Sequence, residues 1–471
     1  MEQLSGLDTA FVHQDSARTP MHITAVLIYD LGEEHQKTLS AEKLRHLVSS
    51  RLLPLPLFSR RLQRVTLDMD TPYWVQAAKP QWSRHISEAT LADGASWQDF
   101  QINLEELHAR RMDLKRPLWE LHLLNNLEDI DGLPAHCQAL LLKVHHCAID
   151  GISLARTIDA LHRETEQVIN DSNPTSKPPS QWDIWTRVNL NTLGRQVKLM
   201  TTVGNLMPGV LRARKTRQQF SDLPPIYTSR SKFNDQVSGR RSCGAILIPA
   251  EDMKTIKRAV RRVTFNDIAV SIIAEALRNY LGAKNSLPRD TLSSGIPISL
   301  RNKSDGNVGG NKIATMIVGL GTHIDDPIER VRLVHRYAVA GKKQTDALGS
   351  GTVMDISDSL TPAMLAEGIR GMAMASRLTD ARVPFHTMIS NVPGPQQPMY
   401  LEGAHLAACL GLGPIRDNMG LFHIVSSTDS RFSLTFNACR KLLPDADLYQ
   451  NCLERAFTAL KVAVRESAEG Q

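Results

Sequence analysis

Two adjacent histidines followed by a carboxylate and a glycine form the segment best suited to proton transfer, His145-His146-Cys147-Ala148-Ile149-Asp150-Gly151. An imidazole with a pKa of about 6.5 can take a proton from a hydroxyl near neutral pH and pass it on. Just before it, ALLLKV (Ala139 to Val144) reads as a short buried strand; behind it, Leu154, Ile158 and Leu161 recur at helical spacing, with Ser153 as the expected N-cap. Successive side chains of a strand point to opposite faces, so the two histidines cannot both serve one cleft. One is expected to face the reaction and the other to pack. Asp150, in the turn, is expected to pair with a cation and hold the loop, with Arg301 as the candidate partner, and Gly151 to allow a sharp turn. Cys147 reads as a small buried filler rather than a nucleophile.

The length of the chain asks for two domains or one large bilobed core. The 471 residues exceed one ordinary domain, and 42% hydrophobic with 22% charged residues is the composition of a folded globular chain. Strand-like runs at Met21 to Tyr29 and Ala139 to Val144 organise residues 1–170 as a first lobe. The stretch NDSNPTSKPPSQ then reads as a linker, and 171–238 continues into a basic segment, Ile184 to Phe220, with no acidic residue. That segment reads either as an interdomain helix with a solvated charged face or as an amphipathic helix on a lipid surface. A second lobe, 239–471, opens with a strand at Ala245 to Ile248 and helices at Glu251 to Val260 and Ile268 to Tyr280. Further strands are expected at Ala314 to Val318, Phe385 to Ile389, Leu421 to Val425 and Phe432 to Phe436. The fold class expected is α/β (α+β).

Fifty-five Lys and Arg against 49 Asp and Glu give a net charge of +6, suited to phosphate-bearing ligands or an anionic membrane surface. With only 5% aromatics and no clustered stripe, nucleic acid is not an expected partner. The basic cluster Lys254, Lys257, Arg258, Arg261 and Arg262 reads first as a solvated helix face and second as a phosphate site. Six scattered cysteines without a CxxC pair argue against zinc ribbons and disulfides, and the N-terminus lacks a signal-peptide pattern. A cytoplasmic protein is expected, with membrane contact, if any, peripheral on the inner face. No metal is expected, because alternation splits the two histidines, and no GxGxxG, P-loop, HExxH or GxSxG is present.

HHCAIDG resembles the HHxxxDG signature of the bacterial wax ester synthase/acyl-CoA:diacylglycerol acyltransferases. Other blocks follow in the family's order: Leu4-Ser5-Gly6-Leu7-Asp8, Pro20-Met21-His22, Arg116-Pro117-Leu118-Trp119-Glu120, Asn266-Asp267-Ile268-Ala269-Val270, Pro297-Ile298-Ser299-Leu300-Arg301, Gly310-Asn311 and Ser390-Asn391-Val392-Pro393-Gly394-Pro395. The resemblance implies a chloramphenicol acetyltransferase-like fold with an active-site channel between two lobes. It implies transfer of a long-chain acyl group from acyl-CoA, a substrate rather than a cofactor, to a fatty alcohol or diacylglycerol, with a membrane or lipid-droplet surface as a further partner. His146 would be the general base and Asn266 the donor to the oxyanion, although on its own sequence Asn266 could equally be a helix N-cap. Trp119, Asn311, Pro393 and Gly394 would bind substrate; core packing is the plainer reading of Trp119, and a rigid turn that of Pro393-Gly394.

Overall fold

The run HITAVLIY folds as the strand His22–Asp30, buried at every residue but the last, because its sheet is covered on both faces. It pairs antiparallel with the strand His136–His145, placing His22 opposite His145. The computed structural model describes residues 2–469 except 33–37, 129, 131, 164–180, 221–222, 224, 226, 301–310, 312, 350, 379–381 and 396.

The first six-stranded sheet has the order Tyr400–Leu401, Ala404–Leu412, His22–Asp30, His136–His145, Trp119–Glu128 and Ile86–Thr90. One face packs Leu140, Leu142 and Val144 against Leu154, Ile158 and Leu161 of the helix Gly151–His162. The other packs Ala139 and Leu141 against Phe100 and Leu104 of the helix Trp97–Ala109, and against Cys243 and Ala245.

The second six-stranded sheet runs Ile313–Gly319, Ser293–Ser299, Thr387–Val392, Leu421–Ser427, Arg431–Cys439 and Arg241–Pro249. Its Thr387–Val392 strand is parallel to both neighbours; the other pairs are antiparallel. The helix Phe265–Ala283 covers this sheet with a nearly continuous buried surface from Asp267 to Leu281. The strands His22–Asp30, His136–His145, Arg241–Pro249, Ile313–Gly319, Thr387–Val392, Leu421–Ser427 and Arg431–Cys439 and the helices Gly151–His162 and Phe265–Ala283 fall where the apolar runs predict them, within a few residues at each end; the other strands of both sheets and the helix Trp97–Ala109 were not expected.

A division at residue 239 does not follow the sheets. Tyr400–Leu401 and Ala404–Leu412 leave the second half of the chain and complete the first sheet, Ala404–Leu412 pairing with His22–Asp30. Within the crossing strand, a Cβ on Gly411 would lie 2.7 Å from Ile424 Cγ2, so only glycine permits that close approach to the second sheet.

The basic segment is a 38-residue helix, Gln181–Gln218, that straps the two halves together. Asn191 Nδ2 donates to Asp70 Oδ2 at 2.8 Å and Arg195 pairs with Asp70 at 2.5 Å, while Lys198 reaches Asp358 at 3.1 Å and Asp355 at 3.4 Å. The expectation that its charged face is simply solvated holds for Arg187, Arg212, Arg214 and Lys215, which are exposed, and is corrected for Arg195 and Lys198, which point inward, where four-carbon and guanidinium side chains can reach carboxylates on both lobes.

Candidate active site

His145 ends its strand in phase with Leu141 and Lys143 and is completely buried. Its Nδ1 accepts the backbone N–H of Cys147 at 3.3 Å and lies 3.0 Å from the Cys147 thiol. With Nδ1 accepting, the neutral ring carries its proton on Nε2, 3.9 Å from Asp15 Oδ1. Burial, with smaller contributions from His146 and Arg111, holds its pKa down at about 3. It is a structural imidazole. Burial also pushes the Cys147 thiol well above its ordinary value, so it packs as a thiol and not as a nucleophile.

His146 leaves the strand. Its backbone N–H donates to the Met21 carbonyl at 2.8 Å, and its ring, partly exposed, stacks on Phe11 with centroids 4.2 Å apart. Nδ1 is enclosed with no hydrogen-bond partner. Burial lowers its pKa; its own carbonyl, the Asp150 carboxylate and the Asn311 side chain act in the opposite direction. The ring is therefore neutral at pH 7, as a base must be.

Asp150 caps the helix Gly151–His162, its Oδ1 accepting the Ser153 N–H at 2.8 Å. This corrects the assignment of Ser153 as the cap: the carboxylate three residues earlier takes that N–H, and the helix begins a turn sooner. Arg301 lies outside the described residues. Gly151 is the first helical residue and is not left-handed, so no sharp turn depends on it; a Cβ there would sit 3.7 Å from Val392 Cγ2. That contact places the histidine turn against the end of the strand Thr387–Val392, from the other lobe. Pro393 and Gly394 follow, and a Cβ on Gly394 would lie 1.6 Å from the Ser427 carbonyl oxygen. Close backbone packing accounts for this glycine.

Asn311 bridges the lobes. Buried at 1% exposure, it donates through Nδ2 to Asp8 Oδ1 at 2.5 Å and to the His146 carbonyl at 2.7 Å. Both amide hydrogens are thereby used, so Asn311 positions the histidine turn rather than offering a donor to substrate. Asp8, also buried, accepts from Asn311 and from the Ser5 hydroxyl, at 2.7 Å, and burial raises its carboxyl to about 6. Asp8 and Phe11 were not singled out by sequence reasoning as parts of the site. The available signal was Ser5-Gly6-Leu7-Asp8, whose serine caps the helix Gly6–Gln14 and whose acid sits in the first turn. A cavity of about 500 Å³, lined by Leu4, Ser5, Asp8, Trp74, Asn191 and Arg195 among others, opens beside Asp8.

Trp119 is fully buried, donates through Nε1 to the Phe58 carbonyl at 3.1 Å and stacks on His85. The expectation that it contacts substrate is corrected: the ring fills the first lobe's core, where its N–H needs a buried acceptor. Asn266 occupies the first turn of the helix Phe265–Ala283, but Thr264 is the cap, in a capping box with Asp267. Asn266 Oδ1 is enclosed without a partner, and among the described residues no hydrogen bond joins Asn266 to the histidine turn. In the basic cluster, Lys254 and Arg258 share Glu251, and Lys257 lies 4.4 Å over the Phe265 ring. Among the described residues no group of three metal-ligating side chains converges.

The sequence pattern of the wax ester synthase/diacylglycerol acyltransferase catalytic domain matches residues 4–269, and that of the family's C-terminal domain matches 309–461. A Mycobacterium tuberculosis protein named a probable diacylglycerol O-acyltransferase is 28% identical, the alignment covering 98% of this chain and 100% of that protein. The O-acyltransferase WSD of Acinetobacter baylyi is 25% identical over 94% of this chain and 93% of its own. The fold matches the wax ester synthase/diacylglycerol acyltransferase structure from Marinobacter aquaeolei with a TM-score of 0.69, at 20% identity, covering 98% of this chain and all of that one. With more than half its length matched by the catalytic pattern alone, the chain belongs to the wax ester synthase/diacylglycerol acyltransferase family of O-acyltransferases.

Proposed function

We propose that this O-acyltransferase moves a long-chain acyl group from acyl-CoA to a fatty alcohol or to the free hydroxyl of diacylglycerol, with His146 as general base. The observation that carries this reading is the contrast between the two adjacent imidazoles. His145 is sealed and engaged; His146 is partly exposed, depressed in pKa, and held from the far lobe through its carbonyl.

With Nδ1 enclosed, Nε2 is the nitrogen that takes the proton. As the hydroxyl oxygen attacks the thioester carbonyl, its proton passes to Nε2. The tetrahedral intermediate then collapses, the C–S bond breaks, and the departing thiolate recovers the proton from the imidazolium. The donor is a substrate, and no covalent enzyme intermediate or cofactor enters the scheme. The oxyanion needs a donor, worth about 3 kcal/mol in comparable sites. Asn266 is our candidate: Thr264 does the capping, which leaves the Asn266 amide without that duty.

The test is thiol release from palmitoyl-CoA, measured with hexadecanol, with dioleoylglycerol and with neither, together with identification of the lipid formed. Release that requires an acceptor, with the matching ester as product, supports the reading. Release at the same rate without acceptor would mean thioester hydrolysis and would overturn it.

A further inference from the structure

The strapping helix Gln181–Gln218 is amphipathic the wrong way round. At 3.6 residues per turn, Val188, Asn191, Arg195, Lys198, Gly209 and Ala213 share one side, and that side faces protein. Val188 and Ala213 are buried, Asn191, Arg195 and Lys198 carry the ion-pair and hydrogen-bond contacts to both lobes, and a Cβ on Gly209 would lie 2.6 Å from the Leu348 carbonyl. The opposite side carries Leu190, Val197, Met200, Met207 and Leu211, at spacings of seven, three, seven and four. Their exposures are 66%, 59%, 77%, 65% and 58%. Val203 and Val210, also exposed, widen the stripe. A helix stabilised by its polar side leaves this apolar side exposed, with no partner among the described residues, and so long a contiguous stripe marks an interaction site.

Charge identifies the partner. Residues 184–220 contain seven Lys and Arg and no Asp or Glu. Arg195 and Lys198 are used inward, whereas Arg187, Arg212, Arg214 and Lys215 are exposed at the two ends of the stripe. An apolar band flanked by exposed cations matches a phospholipid surface bearing anionic headgroups. The side chains would enter the acyl boundary while the cations meet the phosphates. A second protein copy would bring the same cations against themselves. No described helix is long and apolar enough to cross a membrane, so the contact lies in the surface plane.

We propose that the outward face of Gln181–Gln218, centred on Met200 and Met207, docks this enzyme on an anionic phospholipid surface. Leu190 belongs both to the stripe and to the lining of the cavity beside Asp8, so docking sets that cavity at the lipid boundary. The test is flotation of the full chain with phosphatidylcholine vesicles, with and without phosphatidylglycerol. Two double variants accompany the wild type, Met200→Ser with Met207→Ser, and Arg214→Glu with Lys215→Glu. All four positions lie on the outer side of the helix, so both variants keep the wild-type Tm. Wild type is expected to float with phosphatidylglycerol vesicles, and each variant to bind at least about tenfold more weakly. Wild type that stays unbound, or variants that bind as wild type does, would overturn the proposal. So would a dimer in sedimentation that the methionine substitutions dissociate, which would make the stripe a contact between copies. Binding needs no turnover, so this result stands or falls separately from the acyl-transfer reading.

Discussion

The Asn311 amide holds the backbone carbonyl of His146 at 2.7 Å from across the lobe boundary, while its second hydrogen bonds Asp8 at 2.5 Å. The orientation of the histidine turn therefore depends on residues 303 positions apart in the chain. Replacing Asn311 with Ala leaves the Asp8 carboxylate and the His146 carbonyl short of donors. We expect a loss of about 1–3 kcal/mol in unfolding free energy. We also expect kcat to fall while KM for acyl-CoA holds, since the residue holds the backbone of His146, the proposed base, and both its amide hydrogens are engaged within the protein. Denaturant unfolding with steady-state kinetics checks both; an unchanged kcat would remove Asn311 from the positioning of His146.

Asp8 gives stability a pH dependence of definite sign. Its carboxyl is raised from 3.8 to about 6 by burial, so between those values the folded chain holds a proton that the unfolded chain has lost. Stability from this group is full below pH 4 and falls as pH rises through 6, by on the order of 3 kcal/mol. In Asp8→Asn the contribution disappears, and the difference between wild-type and variant unfolding free energies should change over that window. Parallel curves from pH 4 to 7 would contradict it.

The two histidines should fail differently. His145→Ala removes a fully buried ring and orphans the Cys147 N–H, at a cost on the order of 2–4 kcal/mol, read as a lower Tm. Because the pKa of His146 lies below 6.5, the acid limb of kcat/KM should have its midpoint below that value. A midpoint at 7 or above would assign the limb to another group.

Two glycines of the signature blocks separate in the same way. Gly394→Ala drives a methyl into the Ser427 carbonyl, so the strands Thr387–Val392 and Leu421–Ser427 must part locally, costing about 1–3 kcal/mol or more. Gly151→Ala meets only an ordinary contact with Val392 in a helical conformation, and should fold with Tm unchanged or slightly higher. Thermal unfolding of the pair distinguishes a packing glycine from a replaceable one.

Much of this was legible because the strands flanking the site are buried on both faces and so are written as unbroken apolar runs: HITAVLIY and ALLLKV show themselves without context. The crossing strand Ala404–Leu412 did not, since AHLAACLGL is rich in small residues of low strand propensity, and its Gly411 is explained only by the close approach of Ile424. The roles of Asp8 and Asn311 were hidden for another reason. Each is polar in a short local pattern, and only the meeting of the two lobes makes them partners. The inverted helix was half visible: its basic residues and its lack of acids show in the sequence, but which side meets protein is decided by Asp70, Asp355 and Asp358, far away in sequence.

The central claim is tested most directly by thiol release from palmitoyl-CoA with hexadecanol, comparing wild type with His146→Ala at matched Tm. The ring of His146 makes no side-chain hydrogen bond through Nδ1 and is partly exposed, so the variant should fold. Acceptor-dependent turnover is expected to drop by about 100-fold or more. Turnover within a few-fold of wild type would contradict the assignment of His146 as the base.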